Sequence, residues 1–206
     1  MDHHPLTDQD IPSQSVLPTP LGQFDIHVFH DKNTGEDHVA LTLGDMSGPD
    51  PVLLRVHSEC LTGDVFASQR CDCGPQLHAA LDAISNKGWG ALLYLRQEGR
   101  GIGLHAKIQA YKLQDEGADT LDANLMLGLP ADGRQYDIAA DMLKFLGIEK
   151  VNLLTNNPDK VNQLKSYGID VVERTPLIAG ITDENRNYLS TKGHRMGHHI
   201  TKTDLE

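Results

Sequence analysis

Four helical stretches in this chain each run into a glycine, with short apolar runs between them. Residues 76–87 carry Leu77, Ala80, Leu81 and Ile84 on one face and stop at Gly88; 104–116 stop at Gly117, 137–146 at Gly147 and 159–167 at Gly168. A glycine just past a helix accepts the left-handed backbone that closes the last turn, so each marks a boundary. ALLYLRQ (91–97), VNLLTN (151–156) and IDVVER (169–174) have the length and side chains of strands. Upstream, Phe24, Ile26 and Val28 alternate with Asp25 and His27, DKNTGED makes a turn, and HVALTLGD (38–45) and PVLLRVHSE (51–59) are further strands. Strands alternating with helices predict a sheet covered by helices. The expected fold is α/β (mixed α+β): a single domain over 17–182 with a mixed sheet flanked by helices and an N-terminal β-hairpin region. The polar, proline-punctuated residues 1–16 are expected to form a flexible arm, and 183–206 a polar C-terminal segment whose role the pattern leaves open. No internal repeat or low-complexity linker interrupts this plan.

With 206 residues and 39% apolar side chains, the chain has material for a real core. No apolar run approaches the length of about eighteen residues that a membrane span needs. The N-terminus MDHHPLTDQD lacks the basic-then-apolar form of a signal peptide. A cytoplasmic protein without a membrane anchor is therefore expected. The formal charge of −11 argues against general nucleic-acid binding, which rests on neutralising phosphates. A small anion remains a suitable ligand, because Arg55, Arg70, Arg96, Arg100 and Lys107 gather in or beside the most distinctive segments. The plain alternative is that these are solvated surface charges. His3, His4, His194, His198 and His199 are expected at the surface or in the tails.

The only three cysteines are Cys60, Cys71 and Cys73, spaced C-x10-C-x-C. An odd number at tight spacing does not suit a secreted disulfide framework. Cys71 and Cys73 would share one face if that segment were extended, with Cys60 returning from across a loop. Soft thiolates favour zinc over magnesium or calcium. Three ligands without a fourth suit a site that keeps a position for water; a structural site closed by His57 or His78, and three unliganded core cysteines, are the alternatives. Zinc on three thiolates is a weak Lewis acid, so its target must be electrophilic or activated by protonation, as C8 of a guanine ring is.

Three loops carry further signals. QEGRGIG (97–103) lies between a strand and a helix, and Gly99, Gly101 and Gly103 permit positive φ and close backbone approach. The helix start after it offers unpaired N–H groups, and Arg100 adds a planar fork suited to phosphate. The run is neither a Walker A nor a dinucleotide fingerprint, and by itself is equally a tight turn. PADGRQYD (130–137) precedes a helix that Asp132 or Asp137 would cap. TNNPDK (155–160) is another strand-to-helix turn, with Lys160 near the helix start, where a cation opposes the macrodipole unless it serves a bound anion.

Taken in order, R-V-H-S-E-C, C-D-C-G, R-Q-E-G-R-G-I-G, D-x-R and L-T-N-N-P closely resemble the GTP cyclohydrolase II family, the first enzymes of riboflavin synthesis. The likeness runs from about Leu17 to His199. It implies a homodimeric hydrolase that uses zinc and magnesium. Such an enzyme opens the imidazole ring of GTP, releases formate from C8 and diphosphate from the 5′ chain, and leaves 2,5-diamino-6-(5-phosphoribosylamino)pyrimidin-4-one. By motif, the resemblance makes Cys60, Cys71 and Cys73 the ligands of one zinc per subunit. Arg55, Val56, His57, Ser58, Glu59, Gln76, Glu98, Gly99, Arg100, Thr120, Thr155 and Lys160 become GTP contacts. Asp132 corresponds to a proposed general base and Arg134 to a proposed nucleophile on the α-phosphorus. Tyr111 matches a tyrosine associated with complete ring opening and deformylation; family members with another residue there can stop at a formamide. Arginine is a poor nucleophile while protonated, so Arg134 either loses its proton to Asp132 or acts only on transition-state charge. About 20 residues precede the first matching strand, so the dihydroxybutanone phosphate synthase that many relatives carry there is expected to be absent. A nucleotide sensor with a structural zinc and a nucleic-acid-binding zinc knuckle are the non-enzymatic alternatives, the second disfavoured by the acidic charge and few aromatics.

Overall fold

The computed structural model describes residues 5–7, 10–130, 132–201 and 203–205. His3 and His4 lie outside the described residues. In chain order the strands are β1 (Ser13–Thr19), β2 (Gly22–His30), β3 (Asp37–Leu43), β4 (Val52–Ser58), β5 (Gly90–Leu95), β6 (Lys150–Leu154) and β7 (Asp170–Thr175). The helices are α1 (Leu61–Asp64), α2 (Cys73–Lys87), α3 (Gly103–Asp115), α4 (Thr120–Met126), α5 (Asp137–Phe145), α6 (Pro158–Ser166) and α7 (Arg186–Met196). Two compact units are formed, one drawn from Met1–His57, His78–Arg96 and Gln135–Leu177, the other from Ser58–Leu77, Gln97–Arg134 and Ile178–Glu206.

The first unit holds a mixed seven-stranded sheet of order β1-β2-β3-β5-β4-β6-β7, as the alternating pattern predicts. The pairs β1–β2, β2–β3 and β3–β5 are antiparallel, while β4–β6 and β6–β7 are parallel. Val52 through His57 on β4 are all buried, and on β5 only Tyr94 is not fully so. Such runs without polar alternation belong to strands covered on both faces. Leu54, Val56, Leu93, Leu95, Met142, Leu143, Leu153 and Leu164 join in one core, each contributing about 1.5–3 kcal/mol for its burial. Helix α6 begins where Asn157 Oδ1 accepts from the Asp159 N–H at 3.0 Å and Pro158 supplies a ready helical φ. The stop glycines Gly88, Gly117, Gly147 and Gly168 all adopt positive φ, between 71° and 106°.

Strand β1 is a difference. Residues 1–16 are expected as a flexible arm, yet Ser13–Thr19 pairs in register with β2, from Ser13 opposite Val28 to Thr19 opposite Gly22. As an edge strand with mostly exposed side chains it needs no apolar alternation, and Pro18 is tolerated at an edge.

His38 on β3 is 2% exposed. Its Nδ1 accepts from the Arg96 N–H at 3.0 Å, which requires an unprotonated Nδ1 and a neutral ring. Burial holds its pKa below 6.5, against the pull of Asp31 and Glu36. The unfolded chain therefore binds a proton that the folded one refuses. Stability is complete above about pH 6.5 and should fall as pH drops toward the depressed folded value. Urea titrations from pH 7.5 to 5 are expected to show this decline, and His38→Gln should make it shallower; an unchanged slope would assign the decline to other groups.

The second unit contains α1, a 3₁₀ turn at Glu98–Gly101, α3, α4, α7 and a 3₁₀ turn at Thr203–Leu205. The polar C-terminal segment thus contains a helix. It begins after Asn185, which is fully buried, accepts from the Thr182 N–H at 3.0 Å and donates to Gly180 O at 2.7 Å. Polarity all round α7 hid it from periodicity. Among the described residues no helix is long and apolar enough to cross a membrane.

Candidate active site

In the second unit, Cys60 immediately precedes α1, Cys71 lies in a bend and Cys73 opens α2. The extended segment expected for Cys71–Cys73 is corrected: the backbone bends at 71–72 and enters a helix, so the sulfurs converge by a turn rather than by sharing a strand face. The three Sγ atoms lie within 4.8 Å of one another, and Cys60 Sγ stands 3.6 Å from Cys71 Sγ. That is far beyond a disulfide bond of about 2.05 Å. No histidine or carboxylate joins the group among the described residues. Glycines make the convergence possible. A Cβ on Gly63 would meet Cys71 Sγ at 3.0 Å and Cys60 Sγ at 3.2 Å, and one on Gly74 would meet Gly63 O at 2.3 Å.

Lys107, 8% exposed, reaches the cluster from α3. Its Nζ donates to Cys60 Sγ at 3.1 Å, Thr62 Oγ1 at 3.0 Å and Glu98 Oε1 at 2.8 Å. The hydrogen bonds from Cys71 and Cys73, then the Lys107 charge, pull the Cys60 thiol far below its ordinary value despite burial. The same bond to Cys60 pushes Cys71 up to about 11, and hydrogen bonds and burial push Cys73 well up. Negative charge therefore concentrates on the sulfur that faces the ammonium. Burial tends to neutralise Lys107, but Glu98 and Cys60 outweigh it and hold the ammonium charged. Three converging soft donors, two of them buried, with one cation already beside them, fit a soft divalent ion such as zinc.

Glu98 is fully engaged: Oε2 accepts from the Leu61 N–H at 2.7 Å and Oε1 from the Gly99 N–H at 2.8 Å as well as from Lys107. Tyr111, one turn beyond Lys107, lies with its hydroxyl 3.3 Å from Thr62 Oγ1. Burial pushes its pKa up to about 12, so it keeps its proton at neutral pH.

The glycine loop forms the 3₁₀ turn, with Gly99 and Arg100 both at φ +63°. A left-handed arginine costs about 1–3 kcal/mol and is held here by packing. Arg100 O accepts from the Gly133 N–H at 3.0 Å, and a Cβ on Gly101 would lie 3.1 Å from the Gly133 carbonyl carbon. The Arg100 Nη1 and Nη2 atoms are buried and make no hydrogen bond to the described residues, with Cζ 5.8 Å from the Tyr188 ring centre. An anion would satisfy them. Asp132 accepts from Arg134 twice at Oδ1, from N at 3.0 Å and Nε at 2.9 Å, and Oδ2 pairs with Nη2. Burial would raise the Asp132 carboxyl, but Arg134 and then Arg100 hold it below the usual carboxylate range.

The remaining expected residues divide between the units. In the first, Arg55 is buried and its Nη1 donates to Leu154 O at 2.9 Å. Val56 is fully buried, and His57 stacks on Tyr94 at 5.5 Å. Thr155 Oγ1 accepts from the Asn157 N–H at 3.1 Å. Lys160 is not a surface charge: it is 4% exposed, donates to Val56 O at 2.5 Å and lies 5.1 Å from the Tyr136 ring centre. In the second, Ser58 Oγ donates to Gln97 Oε1 at 3.4 Å, Glu59 is half-buried and Gln76 Nε2 donates to Asp72 Oδ2 at 2.5 Å. Thr120 is the first residue of α4, and its side chain lies outside the described residues. Of the gathered cations, Arg55 and Lys107 are buried, while Arg70 and Arg96 are exposed.

Sequence reasoning did not place Thr62, Asp72, Tyr188 or Lys192 in the site, and it counted Lys107 only as a local charge. The four-residue step from Lys107 to Tyr111, which puts both on one helix face, was the available signal. Nothing in the pattern of 183–206 marked Lys192.

The model of the GTP cyclohydrolase II family matches residues 10–176. A protein named GTP cyclohydrolase-2 from Acinetobacter baumannii (strain SDF) is 58% identical over 192 residues, 93% of this chain and 96% of that one. Relatives of the same name from Shewanella amazonensis and Proteus mirabilis are each 57% identical, covering 91% and 92% of this chain and 92% and 96% of theirs. A solved structure of RibBX, a two domain 3,4-dihydroxy-2-butanone 4-phosphate synthase from A. baumannii, matches 79% of this chain and 39% of that one at 18% identity and a TM-score of 0.48, too slight a likeness for inference.

Proposed function

Because the chain belongs to the GTP cyclohydrolase II family, a family of hydrolases, we propose that it hydrolyses GTP at the first step of riboflavin biosynthesis. The imidazole ring opens, formate leaves from C8 and diphosphate leaves from the 5′ chain, giving 2,5-diamino-6-(5-phosphoribosylamino)pyrimidin-4-one. The observation that carries this reading is the converging trio Cys60, Cys71 and Cys73, the first two buried, with Lys107 against it. These cysteines would hold one zinc, which when bound supplies a Lewis acid and a water of lowered pKa.

The chain's own groups divide the remaining work. Lys107 offsets the negative charge that three sulfurs bring to a divalent ion, so the centre is less electron-rich than its ligand count implies. Glu98, with both oxygens engaged, holds the glycine loop and the lysine rather than exchanging protons. Tyr111, protonated at neutral pH, is a hydrogen-bond donor for the opened base. The Arg100 nitrogens would accept the anionic end of the nucleotide. Asp132 is a poor acceptor for an Arg134 proton, being an anion already bound to that guanidinium, so Arg134 suits stabilisation of phosphoryl charge better than attack. Magnesium would accompany the triphosphate. Arg55, Val56, His57, Ser58, Glu59, Gln76, Gly99, Thr120, Thr155 and Lys160 would be further GTP contacts. A homodimer in the cytoplasm is the proposed working form.

Incubation with GTP and Mg²⁺, followed by assays of formate, diphosphate and pyrimidine absorbance, tests the assignment; zinc-loaded protein that leaves GTP intact sinks it. Tyr111→Phe should stop at the formamide, visible by mass spectrometry as a product retaining the C8 carbon, with formate reduced about a hundredfold or more. Full deformylation by that variant would remove Tyr111 from the mechanism.

A further inference from the structure

Helix α7 lies beyond residues 10–176 that the family model matches, yet its side chains reach the turn carrying two of the cysteines. Lys192 Nζ donates to Asp72 Oδ1 at 2.8 Å, with the two side chains 12% and 4% exposed. Asp72 stands between Cys71 and Cys73, and its other oxygen accepts from Gln76. The Lys192 ammonium also lies 4.3 Å from the ring centre of Tyr188, on the preceding turn of α7. The chain entering α7 is pressed against the same turn, since a Cβ on Gly180 would fall 2.3 Å from Pro75 Cγ. A second tie lies one turn from Lys192: Arg195 pairs with Asp119, the N-cap of α4, and reaches Asp122 at 3.1 Å.

We infer that α7 is a brace for the cysteine turn, and that Lys192 is the positioning residue that holds Cys71 and Cys73 in metal-binding shape through Asp72. The inference rests on the proposed zinc role of the cysteines but reads a different property. A buried carboxylate between two thiolate ligands adds negative charge where a metal centre already has an excess. Lys192 cancels that charge at a fixed point, so the turn is neither repelled from the sulfurs nor free to swing toward water. Charge-assisted bonds of this kind are among the stronger polar contacts, and removing one partner leaves the other buried and unpaired.

The test uses the full chain, with thiol alkylation by iodoacetamide mapped by mass spectrometry before and after zinc is withdrawn by a chelator. In Lys192→Gln, Cys71 and Cys73 should react about tenfold faster than in the parent chain, and zinc should pass to the chelator correspondingly faster. Lys192→Arg, which keeps the charge, should restore protection to within about threefold. If Lys192→Gln folds poorly, the pair Asp72→Asn with Lys192→Gln leaves no unpaired charge and should still expose both cysteines. Alkylation within twofold of the parent in these variants overturns the brace, and equal acceleration by Arg195→Gln overturns the assignment of Lys192 as the positioning residue, since any loosening of α7 would then suffice. A parent chain that leaves GTP intact while the alkylation contrast holds defeats only the functional assignment. Normal turnover with no contrast defeats only the brace.

Discussion

Cys60→Ala should reduce formate release by at least about a thousandfold while diphosphate release continues within about tenfold of the parent rate. Cys60 carries the concentrated negative charge of the sulfur trio and is the sulfur bonded to Lys107. Its loss removes one of the three converging sulfurs and leaves only Cys71 and Cys73 to hold a metal. The buried ammonium still has Glu98 at 2.8 Å, so the variant is expected to fold. Metal analysis should find zinc well below one per chain. Diphosphate and formate assays on the same sample separate the two chemistries. A zinc-free variant that releases formate at the parent rate would show that the sulfur cluster has no part in ring opening.

Arg134→Ala should produce the opposite split, with diphosphate release lowered by about a thousandfold and zinc content unchanged. The guanidinium is held in place by Asp132 through Nε and Nη2. A fixed, permanently charged fork is worth most where charge builds on a phosphoryl group. Arg134→Lys should recover part of the loss, since a point charge replaces some of the field but none of the fork. A phosphoramidate trapped on Arg134 would instead establish covalent attack. Inversion of configuration at a chiral α-phosphorus, with no adduct trapped, would establish the electrostatic role, because attack by Arg134 and then by water inverts twice.

Much of this arrangement was legible before any coordinates. The strands Phe24–Val28 and 51–59 and the helices ended by Gly88, Gly147 and Gly168 announce themselves because each has an apolar face or run with a defined stop. The cysteine trio stands out because three soft ligands at tight spacing have few other uses. What escaped notice lacked a local signature. Strand β1 gains its place from backbone pairing at an edge, which demands little of its side chains. Helix α4 depends on the Asp119 cap, whose Oδ1 accepts from the Leu121 and Asp122 N–H groups at 2.9 and 2.8 Å. Helix α7 is held by Lys192 and Arg195, polar residues whose partners Asp72 and Asp119 lie 120 and 76 residues away in sequence. Lys160 looked like a charge at odds with its helix because the carbonyl that receives it, Val56 O, is 104 residues distant.

The glycines around the sulfurs carry a consequence for descent. Gly63 approaches two sulfurs so closely that even a methyl group would crowd them, and Gly74 leaves the Gly63 carbonyl no slack. An imidazole in place of Cys71 would need more room than a thiol, where a Cβ on Gly63 would already stand only 3.0 Å from the sulfur. Bulk added at Gly63 or Gly74 would push the sulfurs or the turn apart, so descent is expected to keep small residues at both positions for as long as it keeps the three sulfurs together.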